Sequence, residues 1–103
     1  MQLFHQLVAL SAQCASIAPA RRAHTRHTWL RRHLVRLNVP LQSVVGRVRR
    51  RLVLCDEAEF ERHVRAVLVR FRSDLVTLVR SLDSTTRTDE LMALKRAVMA
   101  CDA

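Results

Sequence analysis

The sequence predicts an all-α protein, and three observations carry this prediction. The 103-residue chain contains one glycine and two prolines, which leaves little material for the tight turns of β-hairpins. Half of its residues are hydrophobic, which is typical of a chain that packs a core and is not disordered. Between Glu57 and Leu82 the apolar residues recur at steps of three and four, the period of one helical face. By its length the chain is a single domain, residues 1–103.

The stretch 57–82 is the expected scaffold of the fold. As one helix it would be about 39 Å long, so we expect a compact bundle of about five helices organised on this one long amphipathic helix. Asp56 is its expected N-cap, because an Asp side chain accepts hydrogen bonds from the free amides of a first turn. Its apolar stripe consists of Phe60, Val64, Val67, Phe71, Leu75, Leu78 and Leu82.

Two shorter helices are expected in the first third of the chain. The first lies within residues 1–18, has a wide apolar face without Arg, Lys, Asp or Glu, and ends at Pro19. The second is basic and covers about 28–37, with Trp29 turned toward the core.

Prolines and capping residues set the expected bounds of the remaining helices. The segment 38–40, Asn-Val-Pro, is expected to stop the second helix and start a third over 41–54. Thr86 followed by Asp89 three positions later predicts a capping box for a last helix that runs to about Met99.

Positive charge is the most informative bulk property. The chain has 18 basic and 9 acidic residues, a net charge of +9. No Asp or Glu precedes Asp56, so residues 21–55 form a strongly basic half and 56–103 a near-neutral one. A field of one sign indicates a polyanionic partner: nucleic acid, an anionic membrane or an acidic protein face.

Arginine supplies nearly all of this charge, since Lys95 is the only lysine. A guanidinium group binds phosphate and carboxylate through two parallel hydrogen bonds, which favours a selected function. Codon bias in a GC-rich genome, or a reading frame that overlaps another gene, would produce the same excess. The positive field exists in either case.

Two groups of arginines are the candidate binding residues. If the third helix packs antiparallel to the long helix, its arginines join one flank of that helix in a basic strip. This first group consists of Arg47, Arg49, Arg50, Arg51, Arg62, Arg65 and Arg72. The second group, a basic arm, consists of Arg21, Arg22, Arg26, Arg31, Arg32 and Arg36 with His24, His27 and His33. For both groups the alternative is a solvated basic surface without a dedicated ligand.

No catalytic motif, cofactor motif or metal site is predicted. His24 and His27 stand three residues apart, as two metal ligands on a helix would. No carboxylate lies nearby in sequence, however, and the neighbouring arginines would repel a cation. Since no acid-base pair or phosphate-binding loop occurs either, an enzyme is the least favoured class of protein.

The cysteines and the N-terminal region bear on localisation. Cys14, Cys55 and Cys101 are an odd number of widely spaced cysteines without a CxxC pair. This pattern is typical of buried thiols in a reducing compartment, the cytoplasm or nucleus. No segment is long and apolar enough to span a membrane. The Arg-rich, acid-free residues 1–37 also resemble a mitochondrial presequence, which is the alternative localisation.

The interpretation that these patterns favour is a non-enzymatic, sequence-independent nucleic-acid-binding protein, with double-stranded RNA ahead of DNA. Arginine-rich helix faces would contact phosphates, while the scarcity of aromatic residues argues against base stacking. The design resembles, in architecture alone, small virus-encoded suppressors of RNA silencing, helical dimers that lay basic helix flanks along a duplex. The alternative is a helical adaptor or small subunit that docks its basic half on an acidic protein partner, in mitochondria if it is imported.

A symmetric homodimer is expected as well. The first helix and the long helix together present more hydrophobic surface than a monomer of this length easily covers.

Overall fold

The computed structural model describes residues 2–17, 25–53, 55–84 and 86–101, and of residues 25–28 it describes only the backbone. Within these ranges four helices follow one another and no strand occurs, so the all-α class is confirmed. The expected end of the first helix at Pro19 lies outside the described residues. The helices are α1 (Gln2–Ser16), α2 (Thr25–Arg49), α3 (Glu57–Ser81) and α4 (Asp89–Met99).

The predicted second and third helices are one helix, α2. It continues through Pro40, so the expected break at this proline is wrong. Proline lacks an amide hydrogen, which leaves only the carbonyl of Arg36 without its helical donor. Next to it, Asn38 is buried against α1, and its Nδ2 donates to the carbonyl oxygen of Ser11 at 3.3 Å. Packing against a neighbouring helix therefore outweighs the local preference for a break.

The helix α3 begins as its local sequence predicts. Asp56 is the N-cap, and its Oδ1 accepts a hydrogen bond from the amide of Glu59 at 2.8 Å. Glu57 and Glu59 lie in the first turn, where the helix dipole favours negative charge. However, α2 and α3 have the same length of 25 residues, so a single long helix does not organise the fold.

The N-cap of α4 differs from the prediction. Thr88 caps this helix, and its Oγ1 accepts a hydrogen bond from the amide of Leu91 at 3.2 Å. The predicted Thr86 is instead buried, and its hydroxyl donates to Oδ1 of Asp83 at 2.6 Å. Both threonines have a side chain suited to capping. Thr86 is not available as the cap, because its hydroxyl is hydrogen-bonded to Asp83 in the preceding turn.

The middle of the bundle consists of α1 and α3. Each contacts the other and also α2 and α4, whereas the described residues of α2 and α4 do not contact each other. The core contains a fully buried leucine from every helix: Leu7, Leu41, Leu75 and Leu91. The apolar face of α1 therefore lies inside the core of its own chain, and the homodimer stays a prediction.

Two side chains that are expected to be buried, Trp29 and Cys55, are exposed. Trp29 is 45% exposed. Leu52 is 58% exposed because α2 has ended before it, and Cys55 is exposed in the same connection. The helix ends in a Schellman motif, in which the amide of Leu52 donates to the carbonyl of Arg47 at 2.9 Å and the amide of Arg51 donates to that of Val48 at 3.1 Å.

Candidate functional site

Four arginines form a stripe along the outer face of α2. At 100° per residue Arg32, Arg36, Arg47 and Arg50 fall within about 60° around the helix axis, opposite the fully buried Leu41. All four side chains are exposed. From the first to the last of them the helix rises about 27 Å. These four residues are called the α2 arginine stripe below.

Three further arginines widen this positive surface. Arg31 and Arg49 are exposed on the flank of α2 that lies nearer to α1. Arg51 follows the helix with a φ of 55°, in the left-handed region that closes the Schellman motif. This conformation costs a non-glycine residue about 1–2 kcal/mol. The turn thus holds an exposed arginine at a position where glycine is the usual residue.

The charges of these seven arginines are not compensated within the described part of the chain. No acidic residue precedes Asp56, and none of the seven forms an ion pair with a described carboxylate. The arginines of α3 differ in this respect. Arg65 pairs with Glu61 and Arg70 pairs with Asp74, each at 3.2 Å and one helical turn apart.

The arginines of α3 predicted to join this surface lie elsewhere. Helices α2 and α3 are antiparallel, as the prediction required, because Trp29 and Ser81 line one cavity and Arg47 and Phe60 line another. The side of α3 that faces α2 carries Asp74, however. The three α3 arginines that were predicted to join the basic strip lie about 120–180° around the helix axis from Asp74. They are Arg62, which is exposed, Arg65, which is ion-paired, and Arg72, which is half-buried.

The structure thus separates the predicted arginines into two surfaces. It brings the third-helix group together with Arg31, Arg32 and Arg36 of the predicted arm, because both groups belong to one continuous helix. The rest of the arm lies outside the described side chains: Arg21, Arg22, His24, Arg26 and His27.

A groove, which the sequence did not predict, lies between α2 and α3 on the side away from α1. Its volume is about 600 Å³, and its floor is formed mainly by Leu37, Val67, Phe71 and Leu78. Trp29 lies at one end, with its ring centroid 4.1 Å from that of His33. The sequence contains one sign that Trp29 is exposed. His33 and Arg36 follow it by four and seven residues, so polar side chains share its face of the helix.

Charged side chains border this groove. Arg36 lies on the α2 side, and His63, Arg70 and Asp74 lie on the α3 side. Asp74 is the only acidic residue among the lining residues, and its Oδ2 accepts a hydrogen bond from Nε of Arg70 at 3.2 Å. Two arginines against one aspartate leave the groove lining with a net charge of +1, with histidine counted as neutral.

The described residues form no group of three His, Cys, Asp or Glu side chains that could hold a metal ion. Cys14 is buried between α1 and α2, where its Sγ donates to the carbonyl of Leu34 at 3.4 Å. Burial raises the pKa of this thiol to about 11 and also raises the pKa of Cys101. Within the described ranges, no helix is both long and apolar enough to cross a membrane.

Comparisons of the chain with protein-family models, with curated proteins and with solved structures find no match.

Proposed function

We propose that this chain is a non-enzymatic nucleic-acid-binding protein that holds duplexes, RNA ahead of DNA, on the α2 arginine stripe. The observation that carries the proposal is the group of seven exposed arginines on α2 and its C-terminal turn, without an acidic residue among them. Arginine forms paired hydrogen bonds with phosphate oxygens, and the phosphate backbone supplies most of the affinity in sequence-independent binding.

The layout of the stripe suits a long, regularly charged ligand. Arg32 and Arg36 form one pair and Arg47 and Arg50 a second, with centres about 22 Å apart along α2. The residues between the pairs on this face, Val39, Ser43 and Gly46, are small or uncharged, which leaves room for a nucleic-acid backbone. Duplex RNA is favoured because its wide, shallow minor groove is recognised by shape and by phosphate and 2′-hydroxyl contacts, without aromatic platforms.

The backbone at Arg51 supports the same proposal. Glycine would end α2 with less strain, yet the chain has an arginine in the left-handed conformation. Strained conformations of this kind are often found at functional sites. The arginine adds a positive charge next to Arg49 and Arg50 at the end of the stripe.

An acidic protein partner is the second candidate for the basic half. The observation that favours it is the apolar groove beside the stripe. A nucleic-acid backbone binds through its phosphates and would gain little from contact with apolar side chains.

The proposal is tested by measuring duplex binding at a series of salt concentrations by fluorescence anisotropy. With four to seven phosphate contacts, the log of the affinity should fall with the log of salt at a slope of about −4 to −6. The double variant Arg47→Gln/Arg50→Gln should bind unrelated sequences more weakly to a similar extent and make the slope shallower by about two units.

The matched control is Arg62→Gln/Arg80→Gln, which removes the same charge from exposed positions on α3 outside the groove. It should leave the slope close to that of the wild type. Circular dichroism checks that both variants keep the helical fold. Equal losses in the two variants would reject the α2 stripe as the site. Wild-type protein that binds single strands as tightly as duplex RNA would reject duplex recognition.

A further inference from the structure

We propose that the groove between α2 and α3 receives an amphipathic helix with acidic flanks from a partner protein. This goes beyond nucleic-acid binding on the α2 stripe and uses different residues, apart from Arg36, which borders both surfaces. Four properties carry the proposal: the dimensions of the groove, the way the chain fills the equivalent groove on its other side, the net positive charge of the rim, and the exposed tryptophan.

The dimensions of the groove fit a helix. Its lining on α3 extends from His63 to Ser81, 19 residues and about 27 Å, which a partner helix of about 18 residues would cover. Apolar residues occur along this length, with Leu37, Val67 and Phe71 in its middle. Helices that bind in grooves insert apolar side chains at positions i, i+3, i+4 and i+7, and so need apolar residues along the groove.

The chain already fills the equivalent groove on the other side. There α1, an amphipathic helix of 15 residues, packs against α2 and α3 through its buried leucines. On α2 the residues that meet α1, such as Leu34 and Asn38, and those that line the groove, such as His33 and Pro40, lie on opposite sides of Leu41. Helices α2 and α3 thus form a groove on each of their two sides. Within the described residues, α1 fills one of these grooves and no helix fills the other.

The rim selects the charge of the partner. Arg36 and Arg70 line the groove with one acidic residue, Asp74, which pairs with Arg70, so Arg36 is the lining charge that has no carboxylate partner among the described residues. A helix with Asp or Glu beside its apolar stripe would complement this rim, whereas a basic flank would be repelled. A second copy of this chain, with its net charge of +9, is disfavoured for the same reason.

Trp29 supplies the anchor expected of such an interface. It is the only tryptophan of the chain, and nearly half of its surface is exposed at the end of the groove. Tryptophan is enriched among the residues that dominate binding energy at protein interfaces. Its fluorescence also reports directly on whether the groove is occupied.

The test uses three synthetic helical peptides of 18 residues and the full chain. The first has leucines at positions i, i+3, i+4 and i+7 with glutamates on both flanks. The second replaces the glutamates with lysines, and the third keeps the glutamates but replaces the leucines with alanines. The proposal expects the first peptide to shift the Trp29 emission to shorter wavelength and to bind at least ~10-fold more tightly than either of the others.

Two matched alanine substitutions on α3 locate the binding site. Ala66 is exposed and lines the groove, so Ala66→Phe should weaken binding of the first peptide about tenfold or more. Ala58 is also exposed on the same helix but does not line the groove, so Ala58→Phe should leave binding unchanged. Arg70→Glu should reverse the preference between the glutamate and lysine peptides.

Several results would overturn the proposal. Equal binding of the glutamate peptides with and without leucines would mean attraction to basic surface alone. A Trp29 shift caused by a long-chain fatty acid but by no peptide would indicate a small-molecule site. A dimer in sedimentation that Ala66→Phe disrupts would make a second copy the occupant.

The same variants separate this proposal from the nucleic-acid function. Ala66→Phe should retain duplex RNA binding, and Arg47→Gln/Arg50→Gln should retain peptide binding. Either proposal can therefore fail while the other stands.

Discussion

Helices α2 and α3 have equal length but are stabilised in different ways. The helix α3 carries its own support: the N-cap Asp56, acidic residues in its first turn, and two ion pairs between residues one turn apart. The helix α2 has no acidic residue, contains Pro40 and is followed by the strained Arg51. Its helical state depends on packing against α1 and α3. Its described arginines form no ion pair with a described carboxylate.

The largest expected effect comes from truncating one core residue in each helix. Leu41 in α2 and Phe71 in α3 are both buried, so replacing either with alanine should cost about 2–5 kcal/mol of unfolding free energy, measured by urea denaturation. The comparison predicts a difference in hydrogen exchange. Leu41→Ala should lower amide protection in α2 more than Phe71→Ala lowers it in α3, because α3 also has an N-cap and two ion pairs of its own.

Arg70→Gln is the control for both truncations, because its exposed side chain makes only an ion pair, worth a few tenths of a kcal/mol. Equal loss of protection in α2 and α3 after the two truncations would show that α3 depends on packing as much as α2 does.

The same difference explains which parts of the fold the sequence predicts. The start of α3 depends on the local pattern at Asp56 and Glu57, which is visible in the sequence. The passage of α2 through Pro40 depends on Asn38 meeting Ser11, 27 positions earlier in the chain. Contacts between distant residues of this kind leave no local pattern.

The candidate site divides in a similar way. The excess of arginine and its location before Asp56 were predictable by counting. The separation of Arg65 from the α2 arginines was not, because it depends on the rotation of α3 about its own axis. Trp29 was assigned to the core because a lone aromatic residue in an amphipathic helix usually packs there. Its exposure follows from the groove between two helices, which one helix alone does not reveal.

The second prediction concerns the α1–α2 contact at alkaline pH. Burial raises the pKa of Cys14 from 9.0 to about 11, so the fold favours the neutral thiol. Its contribution to stability is complete below pH 9 and is lost as the pH rises from about 9 to 11, by about 2–3 kcal/mol in total. The chain has no tyrosine and one lysine, so few other side chains titrate in this range.

This loss is measured by urea denaturation of the wild type and of Cys14→Ala at pH 8 and pH 10.5. The wild type should lose more stability between the two pH values than the variant does. Cys101→Ala serves as the control, because this thiol is less buried and should account for a smaller part of the loss. If Cys14→Ala loses as much stability as the wild type, the thiol is not the group responsible.

The smallest expected effect is electrostatic and has opposite signs in the two helices. Arg32→Gln/Arg36→Gln should raise the unfolding free energy by a few tenths of a kcal/mol at low salt, because it relieves repulsion among like charges on α2. Asp74→Asn should lower it by a similar amount, because it breaks the ion pair with Arg70. Both effects should vanish near 1 M salt, where charges are screened beyond about 3 Å, whereas at 0.01 M the screening length is about 30 Å. Thermal unfolding at the two salt concentrations measures the signs. A loss of stability in the α2 variant that persists at high salt would mean that the stems of these arginines pack on the helix, and that the fold itself uses them.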